Sequence, residues 1–112
     1  MREDGKIDYV EQPGGDLPAT KAFYSQAFGW TFRDFGPEYS DFSEGVDGGF
    51  ASGADAPPRP LVILFAHDLE AMEARVKAAG GVITRQILPF PGGRRFHFRD
   101  PAGNELGVWS DR

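Results

Sequence analysis

Asp16-Leu17-Pro18-Ala19-Thr20-Lys21-Ala22-Phe23-Tyr24-Ser25-Gln26-Ala27-Phe28-Gly29 returns 52 residues later as Asp68-Leu69-Glu70-Ala71-Met72-Glu73-Ala74-Arg75-Val76-Lys77-Ala78-Ala79-Gly80-Gly81. At that spacing Val10 matches Val62, Leu17 matches Leu69, Ala19 matches Ala71, Ala22 matches Ala74, Ala27 matches Ala79, Gly29 matches Gly81 and Arg33 matches Arg85. With the Asp pair these make eight identities between residues 10–33 and 62–85 without a gap, which reads as an internal duplication. Each Asp marks a helix start: its carboxylate accepts a hydrogen bond from an unpaired first-turn N–H, and its charge suits the positive helix end. Thr20, Phe23, Tyr24, Ala27 and Phe28 share one face of the first helix, and Leu69, Met72, Val76 and Ala79 share one face of the second, so each is expected to bury that side. Gly29 and Gly80-Gly81 end the helices, since glycine takes left-handed backbone without a Cβ clash.

Outward from the helices, Lys6 to Gln12 and Pro60 to Ala66 are rich in β-branched and aromatic residues and are predicted strands. Three more follow each helix: Trp30 to Phe35, Tyr39 to Ser43 and Gly49 to Ser52, then Val82 to Leu88, Arg94 to Arg99 and Glu105 to Ser110. Gly36-Pro37, Gly45 to Gly49, Pro91-Gly92-Gly93 and Asp100-Pro101-Ala102-Gly103-Asn104 supply the turns. The fold class is therefore α+β, one domain of two β-α-β-β-β modules at about residues 6–52 and 60–110, joined by a proline-bearing linker at 53–59. The mixed sheet is expected to curve into a cup with the helices on its outer face.

Ten Phe, two Trp and three Tyr in 112 residues, with 40% hydrophobic residues, suffice for one packed core. Twelve Lys and Arg against seventeen Asp and Glu give a net charge of −5, which repels a phosphate backbone, so nucleic acid is not an expected partner. Cysteine is absent, which removes disulfides and thiolate chemistry and fits a cytoplasmic setting. Met1 to Lys6 carries no apolar leader core, and the longest apolar run, Leu61 to Ala66, is too short to span a bilayer, so neither secretion nor membrane insertion is expected.

Strand alternation assigns the face opposite the helices. It is expected to carry Tyr9 and Glu11 from the first strand, Leu61 and Ile63 from the fifth, Arg95, His97 and Arg99, and then Glu105, Gly107 and Trp109. An apolar wall with a few convergent polar groups is the usual make-up of a small-molecule pocket, and Tyr9, Glu11, Leu61, Ile63, Arg95, His97, Glu105 and Trp109 are the candidate ligand-binding residues. Gly92-Gly93-Arg94-Arg95 resembles a phosphate cradle, but it lies between two strands with no helix start beside it and reads as a hairpin turn. His67 precedes a helix cap and reads as a solvated loop residue, and Phe23, Tyr24, Phe28 and Trp30 read as core.

Tyr9-Val10-Glu11-Gln12-Pro13, Asp16-Leu17, Ala22-Phe23-Tyr24 and Phe28-Gly29-Trp30, followed by Asp68-Leu69, Gly80-Gly81 and Phe98-Arg99-Asp100-Pro101-Ala102-Gly103-Asn104, resemble the vicinal oxygen chelate (VOC) superfamily. That group holds glyoxalase I, extradiol dioxygenases, fosfomycin-resistance transferases and bleomycin-resistance proteins. The resemblance covers Lys6 to Trp109 and implies paired modules, commonly in a homodimer. It also implies a divalent metal held by His, Gln or Glu from the cup wall. Here the residue seven before each capping Asp is Tyr9 or Leu61, and the residue three after the turn Asn is Gly107, so the usual ligand set is missing.

The first expectation is a metal-independent protein that binds a small organic molecule, cationic or amphipathic to suit the acidic surface, with no cofactor. The alternative is a metal-dependent glyoxalase-like lyase or isomerase, or a dioxygenase, with Glu11, His97 and Glu105 as catalytic candidates or as a displaced set of divalent-metal ligands. A third reading is a partner-binding module whose sheet edges self-associate.

Overall fold

Asp16 and Asp68 cap the two helices as their sequence predicts. In this computed structural model, which describes residues 2–112, Asp16 Oδ1 accepts from the Ala19 N–H at 3.1 Å and Asp68 Oδ1 from the Ala71 N–H at 3.0 Å. These caps open α1 (Leu17–Phe28) and α2 (Leu69–Ala78). Gly29, at φ 74, ends α1 and donates its N–H to Ser25 O at 3.0 Å. Beyond α2, Gly80 turns at φ 99 and Gly81 donates to Val76 O at 2.9 Å.

The chain divides into two compact units: Tyr9–Leu61, and the described residues up to Asp8 together with Val62–Arg112. In the first unit β1 (Ile7–Pro13) lies parallel to β4 (Val46–Ala51), with Val10 opposite Gly48 and Glu11 opposite Gly49. Antiparallel β3 (Tyr39–Glu44) and β2 (Arg33–Asp34) continue the order β2-β3-β4-β1. β5 (Leu61–Phe65), which belongs to the second unit from Val62 onward, lies parallel to β8 (Glu105–Ser110), with Ile63 opposite Gly107. Antiparallel β7 (Gly93–Arg99) and β6 (Val82–Phe90) complete β5-β8-β7-β6. Each module thus places its first strand parallel to its last, so the duplication read from the sequence is present in topology and the α+β class holds.

Each module buries its own core on the helix side. Leu17, Phe42 and Phe50 form one cluster with Tyr24, Trp30 and Phe32 packed against it. Ala66, Leu69, Phe96 and Val108 form the other, with Leu64, Met72, Val76, Ile83 and Phe98 around them. A fully buried Leu, Val or Phe contributes roughly 1.5–3 kcal/mol, and the two Leu residues directly after the capping Asp are such anchors.

Three local expectations are corrected. Phe23 and Phe28 stay 58% and 64% exposed: of the three α1 rings Tyr24 is the one that meets Phe50, and the two Phe rings pack against Tyr24. The strand expected over Trp30 to Phe35 shrinks to Arg33–Asp34, since Trp30 and Phe32 turn into the core straight after the helix cap. The turn expected over Gly45 to Gly49 is confined to Gly45, at φ 98, and Gly48 and Gly49 are strand residues. A side chain on Gly48 would collide with Val10 O and the Phe42 ring, so that glycine serves close approach rather than chain reversal.

Candidate functional site

In β7, Phe96 and Phe98 join the core beneath α2, so Arg95, His97 and Arg99 occupy the opposite face. Register sets Arg85 on one side of His97 and Gly107 on the other, Trp109 beside Arg95 and Glu105 beside Arg99. Ile63 faces Gly107 from β5. Of the residues the sequence singled out, the second unit therefore brings Ile63, Arg95, His97, Glu105 and Trp109 onto one face. Tyr9, Glu11 and Leu61 belong to the first unit.

His97 is the centre of that face. The residue is only 7% exposed, and its buried Nε2 has no hydrogen-bond partner among the described residues. Nδ1 lies 3.7 Å from Glu105 Oε2. The ring extends over the bare main chain of Gly107: a β-carbon there would meet His97 Cδ2 at 3.3 Å, Ile63 Cγ1 at 3.4 Å and His97 Nε2 at 3.6 Å. Burial pushes the His97 pKa down to about 4, the Arg95 and Arg85 guanidiniums push the same way, and Glu105 opposes them. The imidazole is therefore neutral at pH 7. The 3.7 Å approach of Nδ1 to Glu105 is too long for a hydrogen bond and fixes no tautomer, so Nε2 counts as an unpaired polar atom of either kind.

The neighbours of His97 are partly engaged. Glu105, with its side chain 41% exposed, accepts from Thr84 Oγ1 at 2.6 Å. Trp109 donates its Nε1 proton to Asp8 Oδ2 at 2.9 Å, lies 5.0 Å beneath the Arg2 guanidinium, and meets Phe65 edge-on. It is a fixed wall rather than a free stacking platform. His67 is half exposed as expected, but it is tied to Asp4 through its backbone N–H at 2.7 Å and Nδ1 at 2.8 Å.

The equivalent face of the first unit carries Tyr9, Glu11, Tyr39, Asp41 and Gly49. Gly49 faces Glu11 as Gly107 faces Ile63, so the two glycines are counterparts. The Tyr9 and Tyr39 hydroxyls hydrogen-bond to each other across Gly49, in the space its side chain would need. Burial, the Tyr39 hydroxyl and the nearby Asp41 and Glu11 carboxylates hold the Tyr9 phenol far above its ordinary pKa, so it is neutral. Glu11 is 5% exposed, and Arg33 pairs with Asp41 at 2.9 Å. Separately, Gln12, Phe23, Tyr24, Phe50 and Pro60 line a groove of about 430 Å³ along α1 that contains none of the candidate residues.

Sequence reasoning missed Tyr39, Asp41, Gly49 and Arg85. Arg85 carried a usable signal as the repeat partner of Arg33, whereas Gly49, which the 52-residue spacing does not align with Gly107, needed the strand register, as did Tyr39 and Asp41.

The Glyoxalase/Bleomycin resistance protein/Dioxygenase superfamily model matches residues 6–108. The chain belongs to this superfamily. A search of curated proteins found no match. Among solved structures, methylmalonyl-CoA epimerase from Mycobacterium tuberculosis is similar at TM-score 0.70 and 12% identity, over 98% of this chain and 90% of that one. A glyoxalase/bleomycin resistance protein/dioxygenase superfamily member from Vibrio splendidus 12B01 is similar at TM-score 0.68 and 16% identity, over 91% and 96%. A Legionella pneumophila structure described as an NAD-dependent benzaldehyde dehydrogenase is similar at TM-score 0.76 and 11% identity, over 91% and 96%. At such identities the likeness is one of fold alone.

The superfamily's implied metal does not fit the residues this member offers. Leu61, Gly49 and Gly107 have no donor atom in their side chains, and the Tyr9 hydroxyl is a neutral phenol already bonded to Tyr39. Among the described residues no group of three or more His, Asp or Glu side chains is placed to hold a metal ion. Nor, among them, is any helix long and apolar enough to cross a membrane.

Proposed function

We propose that this superfamily member binds a small organic molecule on the open face of its sheets and does so without the usual divalent metal. The observation that carries the reading is the buried Nε2 of His97, a polar atom with no partner beside the bare backbone of Gly107. A buried polar atom left unpaired costs about 1–3 kcal/mol, which a bound ligand would recover in part. The non-fit of Tyr9, Gly49, Leu61 and Gly107 as metal donors supports the second half of the proposal.

Metal analysis of untagged protein, joined to thermal-shift screening of a ligand panel with and without Mn²⁺, Ni²⁺ and Zn²⁺, tests both halves. Ligands that raise the melting temperature equally in chelator and in metal are the expected result, since stabilisation by binding follows ligand concentration over Kd. Stoichiometric metal, with ligand stabilisation seen only in its presence, would overturn the proposal in favour of a metal-dependent lyase, isomerase or dioxygenase.

A further inference from the structure

The duplication allows the two helices to be compared position by position. Tyr24 and its repeat partner Val76 each pack against the core of their own module, so the helices align side for side. One position earlier they diverge: α2 carries Arg75, whereas α1 carries Phe23, 58% exposed. Phe28, 64% exposed, stands where the second module has Gly80. Glu70, Glu73, Arg75 and Lys77 give α2 the charged surface of a solvated helix, while the single charged residue of α1, Lys21, is paired with Asp34 at 2.7 Å. The outer side of α1 is therefore apolar where its own duplicate is charged.

That side has both a projection and a hollow. The Phe28 ring lies 6.2 Å from the Phe23 ring, and Phe23 with Thr20, Tyr24, Phe50 and Pro60 bounds the groove of about 430 Å³. Phe28 is at the end of α1 and Thr20 in its first turn, so roughly 12 Å of helix separates projection from hollow. Two copies of α1 set antiparallel across a two-fold axis would bring each Phe28 to the other's groove, the reciprocal contact that a symmetric interface requires.

Charge favours a second copy over a foreign partner. A chain of −5 attracts basic partners through its acidic surface and repels its own kind, so copies meet best on a side without unpaired charge, which α1 offers. The sheet edges compete poorly: β2 has two residues, and β6 is broken by register shifts on either side of Arg85 and contains Pro89, which has no N–H to donate. Four Phe rings, at roughly 150–250 Å² for full burial of each, supply about half of the roughly 1,000 Å² that a specific interface needs, and the groove walls supply the remainder.

We infer that α1 is a self-association surface, on which two copies pair antiparallel with each Phe28 ring seated in the groove of the other. This pairing does not depend on what the sheets bind.

Sedimentation equilibrium of the full-length protein up to about 300 µM, with Phe23→Arg, Phe28→Glu and Val82→Glu beside wild type, tests it. Wild type is expected to dimerise with a Kd of about 10–100 µM, as suits an interface at the small end of the specific range. Phe23→Arg and Phe28→Glu should each weaken the dimer about a hundredfold, since an aromatic anchor is lost and a charge would be buried in its place. Val82→Glu alters another exposed apolar residue, on β6, and should leave the Kd unchanged. Raising salt from about 50 to about 500 mM should hold or tighten the dimer, because like charge is screened. Circular dichroism checks that each variant is folded, and Ala27→Glu, an exposed α1 position, replaces either Phe variant that unfolds. A wild type that stays monomeric throughout overturns the inference and leaves the face to a partner of another kind. A dimer indifferent to the α1 variants, one dissociated by Val82→Glu, or one weakened tenfold by salt overturns it equally.

Discussion

His97 couples the fold to pH. Its folded pKa near 4 lies below the ordinary value of 6.5, so between those values the unfolded chain holds the proton and the folded chain does not. Stability tied to this residue is therefore complete above about pH 6.5 and is lost as pH falls toward 4. A separation of this size corresponds to roughly 3 kcal/mol. Urea unfolding of wild type and His97→Asn at pH 7.5, 6, 5 and 4 should give curves that converge as pH drops, and parallel curves would show that the ring is not held neutral. The sequence placed His97 on the correct face because alternation with Phe96 and Phe98 is a local property. Its burial was not legible, because that depends on the neighbouring β8 strand having glycine at 107. Trp109 was likewise readable as a face residue, whereas its bond to Asp8 joins positions 101 apart in the chain and left no trace in the local pattern.

At the level of elements, glycine has two roles here, and substitution separates them. Gly48 and Gly49 lie where Val10 O, the Phe42 ring and the two tyrosine hydroxyls would meet a new side chain well inside contact distance. Gly49→Ala should destabilise the first unit by about 1–3 kcal/mol and Gly48→Ala by at least as much, since the Val10 carbonyl is main chain and does not give way. Gly107→Ala, with its nearest neighbours at 3.3 Å or more, should change unfolding free energy by less than about 1 kcal/mol. Equal losses at 49 and 107 in chemical denaturation would show that the Tyr9–Tyr39 bridge yields freely. The helices were legible down to their capping Asp and terminal Gly because caps are written within a few residues. β4 was partly hidden by the same logic: a glycine run is the ordinary sign of a turn, and only the partner strand reveals it as a corridor for other side chains.

For the whole molecule, both units join their first strand to their last in parallel, Val10 to Gly48 and Ile63 to Gly107. Such pairing closes long stretches of chain, which slows folding relative to hairpins. It also sets a hierarchy of protection. β8 is bonded on both sides, to β5 and β7, and contains the buried Val108, whereas β2 has two paired residues at an edge. Amide hydrogen exchange should accordingly be slowest at β8 and among the fastest at Arg33 and Asp34, and fast exchange throughout β8 would contradict this description of the second unit. The duplication itself was plain from the sequence, since caps, strand starts and helix ends repeat at one spacing. The local charge of the site was not, because the composition reports a net negative charge and says nothing of the Arg95 and Arg85 guanidiniums acting on one imidazole.

Gly49 also limits how its surface can change by mutation. Installing a carboxylate there by one substitution is opposed, because the incoming side chain and the Tyr9 and Tyr39 hydroxyls claim the same volume, whereas Gly107 meets its neighbours only at 3.3 Å and beyond. At Gly49 a tyrosine and the glycine would have to be exchanged together, so drift proceeding one substitution at a time tends to keep that half in its present form.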